Sequence, residues 1–186
     1  FADVFAKAVT SSNTNVEMLG DTMKYTAPIA RQYGLSLEET TAISAKMADA
    51  GIKSSQAGTA MRAGLLRLST LPKPTANALK QLKINPIDPD GNMKNIITLL
   101  GELETAMKPL ANSEKLSLAK GIFGMEAASG WLNVMAAGSE AVGDFTKSLE
   151  NSDGAAQKMA DIMSDNVHGA FKEFDSMLEK IQLNAM

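Results

Sequence analysis

The chain has no cysteine in 186 residues and a single histidine, His168. The first absence excludes disulfide frameworks, cysteine-based zinc sites and thiol nucleophiles, while leaving the redox compartment open. The second leaves His168 only carboxylates as partners for metal or catalytic work. Neither His-x-x-Glu nor Glu-x-x-His spacing surrounds it, so it reads as an ordinary helix-surface or packing residue. Long hydrophobic runs are missing too: no stretch approaches the roughly 18 apolar residues that cross a bilayer. No basic segment leads into an apolar core with a small-residue cleavage site, so this segment is expected to be soluble and without a membrane span. Positive charge is not in excess, since 18 Lys plus Arg face 21 Asp plus Glu for a net charge of −3. That balance argues against a dedicated nucleic-acid binder. No Gly-x-Ser-x-Gly elbow, Walker loop or Gly-x-Gly-x-x-Gly turn is present. Enzymatic apparatus is not visible, and no catalytic, cofactor-binding or metal-ligating residue is assigned.

What is present is helical periodicity. A chain of this length buries roughly 70% of its unfolded surface, enough for a core without staples. Val16, Leu19, Met23, Ala27, Ala30 and Tyr33 step by three and four, which predicts a helix over 15–33 that Pro28 kinks or splits. Ser36-Leu37-Glu38-Glu39 is a capping box for the next helix, and Gly51 is its expected C-cap. Residues 54–70 place Ala57, Met61, Leu65 and Leu68 inward, among small residues that let another helix approach closely. A short helix near 75–83 follows, with Pro74 at its first position. Turn-forming residues concentrate over 85–92, the best internal break, where a small turn or hairpin is expected.

Met93, Ile96, Ile97, Leu100, Leu103, Met107 and Leu110 form the next apolar stripe, and Ser113 is read as the cap of another short helix. Gly121, Gly124 and Gly130 read as interruptions, so 114–150 is expected to be short helical pieces joined by tight turns. From Ser152 onward, Ala160, Met163, Val167, Ala170, Phe174, Met177 and Ile181 alternate steps of three and four, the pattern of a long amphipathic or coiled-coil helix. Strand signals are nearly absent. The expected fold is all-α: a compact helical module over 1–150, then a long helix over 151–186. The start at Phe1 and the unfinished helix at Ile181-Gln182-Leu183 read as an excised piece whose helix runs on.

Three constellations carry possible chemistry. Asp88, Asp90 and Asn92 occupy the first, third and fifth positions of a calcium-loop pattern, but Met93 stands where glycine is needed and Leu99 replaces the terminal glutamate, so a plain turn is preferred. Between Asp49 and Asp88 lie Lys53, Arg62, Arg67, Lys73, Lys80 and Lys83 with no acidic residue. Residues 1–83 hold ten basic and six acidic side chains, residues 144–186 four and eight. Such a polarised chain could steer a polyanion or pair head to tail; solvated faces, or packing of the basic helices near the acidic terminal helix, are the preferred readings. Glu126 could be the acid of a helical muralytic enzyme, but no second carboxylate identifies itself, and a carboxylate near a helix start is the better account.

Several runs are familiar as sequence. Val9-Thr10-Ser11-Ser12-Asn13-Thr14-Asn15-Val16-Glu17-Met18-Leu19-Gly20, Tyr25-Thr26-Ala27-Pro28, Gly34-Leu35-Ser36-Leu37-Glu38-Glu39 and Ala50-Gly51-Ile52-Lys53-Ser54-Ser55-Gln56-Ala57-Gly58-Thr59-Ala60-Met61-Arg62 resemble the core region of phage tail tape measure proteins of the TP901 type. Asp90-Gly91-Asn92, Ile122-Phe123-Gly124-Met125-Glu126-Ala127 and Asn151-Ser152-Asp153-Gly154-Ala155-Ala156 continue the resemblance in the same order, so that it covers almost the whole chain. It implies a non-enzymatic structural protein of a long-tailed phage or prophage. Such chains lie inside the growing tail tube, set tail length during virion assembly and leave before the DNA on infection. Tail tube and tail initiation proteins are the implied partners, with self-association through the C-terminal helix; the location is the virion tail interior, and host bacterial cytoplasm during assembly. A helical adaptor without viral role shares the physical features, and a membrane-active segment would use the Met-rich terminal stripe.

Overall fold

The computed structural model describes residues 1–166. Nine helices, α1 to α9, and a further helical run over 155–166 make up the described residues, with no strand beyond one antiparallel bridge between Ile87 and Met93. The all-α expectation holds. His168 and the apolar stripe from Val167 onward lie outside the described residues.

Local signals set most boundaries. The helix α1 (Ala2–Thr10) leads into α2 (Val16–Tyr33), where the Asn15 side chain accepts from the Met18 amide. Pro28 does not split α2. Pro28 and Lys24 are both exposed, so the carbonyl that the proline leaves without its helical donor sits on the solvated side. At α3 (Leu37–Asp49) the capping box is complete: Ser36 Oγ accepts from the Glu39 amide at 3.0 Å, and the Ser36 amide donates to Glu39 Oε2 at 2.9 Å. Gly51, with φ of +86°, closes the helix. Its amide donates to the Ala48 carbonyl and that of Ile52 to the Met47 carbonyl, the paired bonds of a Schellman motif.

The helix α4 (Ser54–Thr70) matches its expected span, whereas α5 (Lys73–Gln81) starts earlier than expected, with Pro72 at its N-cap and Pro74 at its second position. The break at 85–92 is a tight reversal: the Asp88 amide donates to the Asn92 carbonyl at 2.8 Å and that of Lys94 to the Pro86 carbonyl at 2.9 Å. Then come α6 (Ile96–Met107), α7 (Asn112–Phe123), α8 (Ala128–Ala137) and α9 (Ser139–Glu150). Ser113 lies inside α7 rather than capping it; Glu114 Oε2 accepts from the Ala111 amide instead. Gly121 and Gly130 interrupt nothing. Both sit within helices at close approaches, where a Cβ would come within 3.2 Å of Ala78 Cβ and 3.4 Å of Met47 Sδ respectively, whereas Gly124 and Gly138 do end helices.

Packing follows from burial. In α3 the six consecutive residues Thr40 to Ala45 are buried, so that helix is enclosed on all sides and must be central. It packs on α1, α2, α4, α8 and α9, while α4 also meets α2, α7 and α8. The edges are α5, which packs on α7, and α9, which packs on α1, α3, α6 and α8. Every helix from α1 to α9 contributes to one buried cluster, from Val4 to Leu149. The helical run over 155–166 is different: Ile162 and Met163 are 61% and 58% exposed.

Candidate functional site

The junction of α4 and α8 is built on a fully buried tryptophan. Trp131 stacks on Phe123 with ring centroids 5.0 Å apart, and its indole N–H donates to the Ala60 carbonyl at 2.9 Å. The close approach needs glycine at position 64, because a Cβ there would stand 2.1 Å from Trp131 Nε1. One turn further along α4, the Arg67 guanidinium donates to the carbonyls of Ile122 and Gly121 at 3.3 and 3.2 Å. The Thr75 hydroxyl reaches the same two carbonyls at 3.1 Å each. These donors satisfy acceptors that the end of α7 would leave open. Arg67 is therefore a structural cation, a role its sequence surroundings do not signal.

Glu126 follows in the turn between α7 and α8. It is exposed and lines a groove of about 320 Å³ with Ser55, Gln56, Thr59, Ala63 and Ser129. Among the described residues no second carboxylate lines that groove, so they do not assemble the two-acid geometry of glycoside hydrolysis there. Asp88 is engaged within its own turn. Its Oδ1 accepts from the amides of Asp90 and Asn92 at 3.0 and 2.8 Å, so the carboxylate closes the loop itself. Among the described residues no group of three or more His, Cys, Asp or Glu side chains is placed to hold a metal ion.

The basic stretch is divided by the fold. Lys53 donates to Asn13 Oδ1 at 2.9 Å and Arg67 is occupied as described, while Arg62, Lys73, Lys80 and Lys83 are exposed. None of these four forms an ion pair among the described residues. Titrating groups elsewhere are perturbed. The Lys24 ammonium and the Ser54 hydroxyl hold the Asp21 carboxyl below the usual carboxylate range, and burial pushes the Tyr33 phenol up.

The last described feature is where the terminal helical run begins. Asp3 Oδ1 on α1 accepts from the Ala156 amide at 2.8 Å, tying two segments 153 residues apart. A carboxylate at a helix start is favoured by the dipole and by the open amides there. Among the described residues no helix is long and apolar enough to cross a membrane. The resulting picture is a closed helical core with no assembled catalytic constellation among the described residues, and an uncovered helix starting at α1.

The family of phage-related minor tail proteins matches residues 1–124. A tape measure protein of Pneumococcus phage Dp-1 is 37% identical over 182 residues, covering 98% of this chain and 16% of that protein. A probable tape measure protein of Escherichia phage P2 is 34% identical over 182 residues, covering 96% of this chain and 22% of that protein. No solved structure matches. The chain thus spans less than a quarter of either relative's length. Resemblance by motif and similarity along the chain lead to the same assignment: this chain belongs to the phage-related minor tail protein family.

Proposed function

We propose that the chain is a core segment of a phage tail tape measure protein, acting as a structural and not a catalytic part. In this reading residues 1–150 form a module that docks on tail initiation and tail tube proteins, and the segment from 151 onward, helical from 155, belongs to the measuring part and associates with copies of itself. The observation that carries it is the uncovered helix: Ile162 and Met163 are exposed beside a module whose other large apolar side chains are mostly buried. An α-helix supplies about 1.5 Å of length per residue for as long as its apolar face is covered, which is what a ruler needs. The location inside the tail, and in the host cytoplasm during assembly, follows from that role.

The test is tail length by electron microscopy after insertion of six heptads in frame after Ile181 of the parent gene, keeping the three-four stripe in register. Continuous helix predicts tails longer by about 63 Å. Normal tails of unchanged length would overturn the measuring role and leave the segment with docking alone.

A further inference from the structure

We propose that the uncovered face of the 155–166 helix seats in a groove between α6, α7 and α8 of a second copy of this chain. The inference rests on the self-association reading above and gives it a receiving surface. The groove has a volume of about 600 Å³, and Met107, Leu116, Leu132 and Met135 form its apolar part, with Lys108 and Lys115 also lining it. Leu116 is 40% exposed and so offers apolar surface to a partner. Neither lysine makes an ion pair among the described residues. The one acid in the groove, Glu104, accepts from the Ser139 amide at 2.9 Å and so already serves the start of α9.

The 155–166 helix offers the complement. Ile162 and Met163 are its exposed apolar side chains, and Asp161 and Asp165 flank Ile162 at neighbouring and i+3 positions. Apolar side chains entering the groove would bring these carboxylates toward Lys108 and Lys115, the arrangement of a buried anchor with a charged rim. The occupant comes from another copy because of where the helix starts. It leaves from Asp3 on α1, which packs on α2, α3 and α9, none of which lines the groove. Helix of one copy into groove of the next is a heterologous contact, which builds a ring or a line rather than a symmetric pair.

The test is sedimentation velocity of the full 186-residue chain over a concentration series, with folding of each variant checked by circular dichroism. Ile162→Asp and Leu116→Asp are each expected to weaken self-association by about tenfold or more, the scale of an interface anchor. Lys108→Glu with Lys115→Glu should weaken it likewise, and mixing that variant with Asp161→Lys plus Asp165→Lys should restore it. If Ile162→Asp disrupts association and Leu116→Asp does not, the helices pair with one another; the groove inference then fails while self-association stands. A wild-type chain that stays monomeric throughout overturns both. Weakening by all single-sided variants with no recovery on mixing overturns the assigned charge pairing and with it the seating.

Discussion

Gly64→Ala offers a sharp test of how α4 and α8 are joined. Glycine in a helix interior ordinarily costs about 0.5–1 kcal/mol against alanine, so propensity alone predicts a gain. Geometry predicts the reverse. The new Cβ would stand 2.1 Å from Trp131 Nε1 and 2.6 Å from Cε2, and the indole, fully buried and stacked on Phe123, has no free space to enter. Overpacking of this kind costs about 1–3 kcal/mol. Displacing the ring also breaks its bond to the Ala60 carbonyl, and a buried indole N–H left without an acceptor costs about 1–3 kcal/mol more. Subtracting the propensity gain leaves a net loss of about 1–5 kcal/mol, or roughly 2–20 °C in melting temperature for a domain of this size. Gly20→Ala is the control, because nothing lies within 4 Å of a Cβ built there, and it should gain about 0.5–1 kcal/mol. Urea and thermal unfolding followed by circular dichroism measure both, with an unchanged denaturant slope confirming a like-for-like comparison. Gly64→Ala as stable as wild type would show that the indole is not fixed as described.

Other expectations concern turns and titrations. Asp88→Ala removes the acceptor of two backbone amides and should loosen the 85–92 reversal by about 1–2 kcal/mol, while millimolar calcium added to the wild-type chain leaves its melting temperature unchanged; a calcium-dependent rise would refute the plain turn. Asp21 is held below its ordinary range by Lys24 and Ser54, so its stabilising contribution is present above the unfolded carboxylate pKa and disappears as pH falls through the folded value. Asp21→Asn should therefore flatten the acid side of the stability curve, and an unaltered curve would contradict the pairing. Tyr33 carries a buried hydroxyl with no partner among the described residues, and its phenol titrates above the ordinary value, so the unfolded chain ionises first and stability falls as pH rises past about 10. Tyr33→Phe should be neutral to stabilising by about 1 kcal/mol at pH 7 and should weaken that alkaline loss, read by unfolding at pH 7 and pH 11.

Features written in local residue order were legible in the sequence: the Ser36–Glu39 box, Gly51 after α3, the span of α4 and the reversal at 85–92 all depend on residues within a few positions of one another. Features set by distant chain were not. Gly121 and Gly130 look like breaks because glycine is a poor helix former, yet each is helical where another segment packs closely against it. Arg67 belongs to an uninterrupted basic run in sequence, and only the docking of α7 on α4 turns it into a donor for two carbonyls. Ser113 was read as a cap from its type, but the helix begins one residue earlier and Glu114 reaches back over it. The groove between α6, α7 and α8 has no sequence signature at all, since Met107, Leu116 and Leu132 each fit an ordinary apolar stripe.

The two parts of the functional reading make different physical demands, and Asp3 sits where they meet. A docking module keeps its shape through shared burial, which α1 to α9 have in one cluster. Helices in proteins owe most of their stability to packing of an apolar face, and with Ile162 and Met163 exposed the 155–166 run gains little from packing on its own module. At its start the Asp3 carboxylate accepts from the Ala156 amide. Replacing Asp3 by alanine should cost that helix about 0.5–2 kcal/mol locally, since an end cap acts on the first turn. Hydrogen exchange at dilute concentration should then quicken by roughly 2- to 30-fold at amides 155–159 while those of α3 and α4 keep their rates. Faster exchange spread evenly through α3 and α4 would place Asp3 in the core's own stability, and no change at 155–159 would mean that something other than Asp3 fixes where the helix leaves the module.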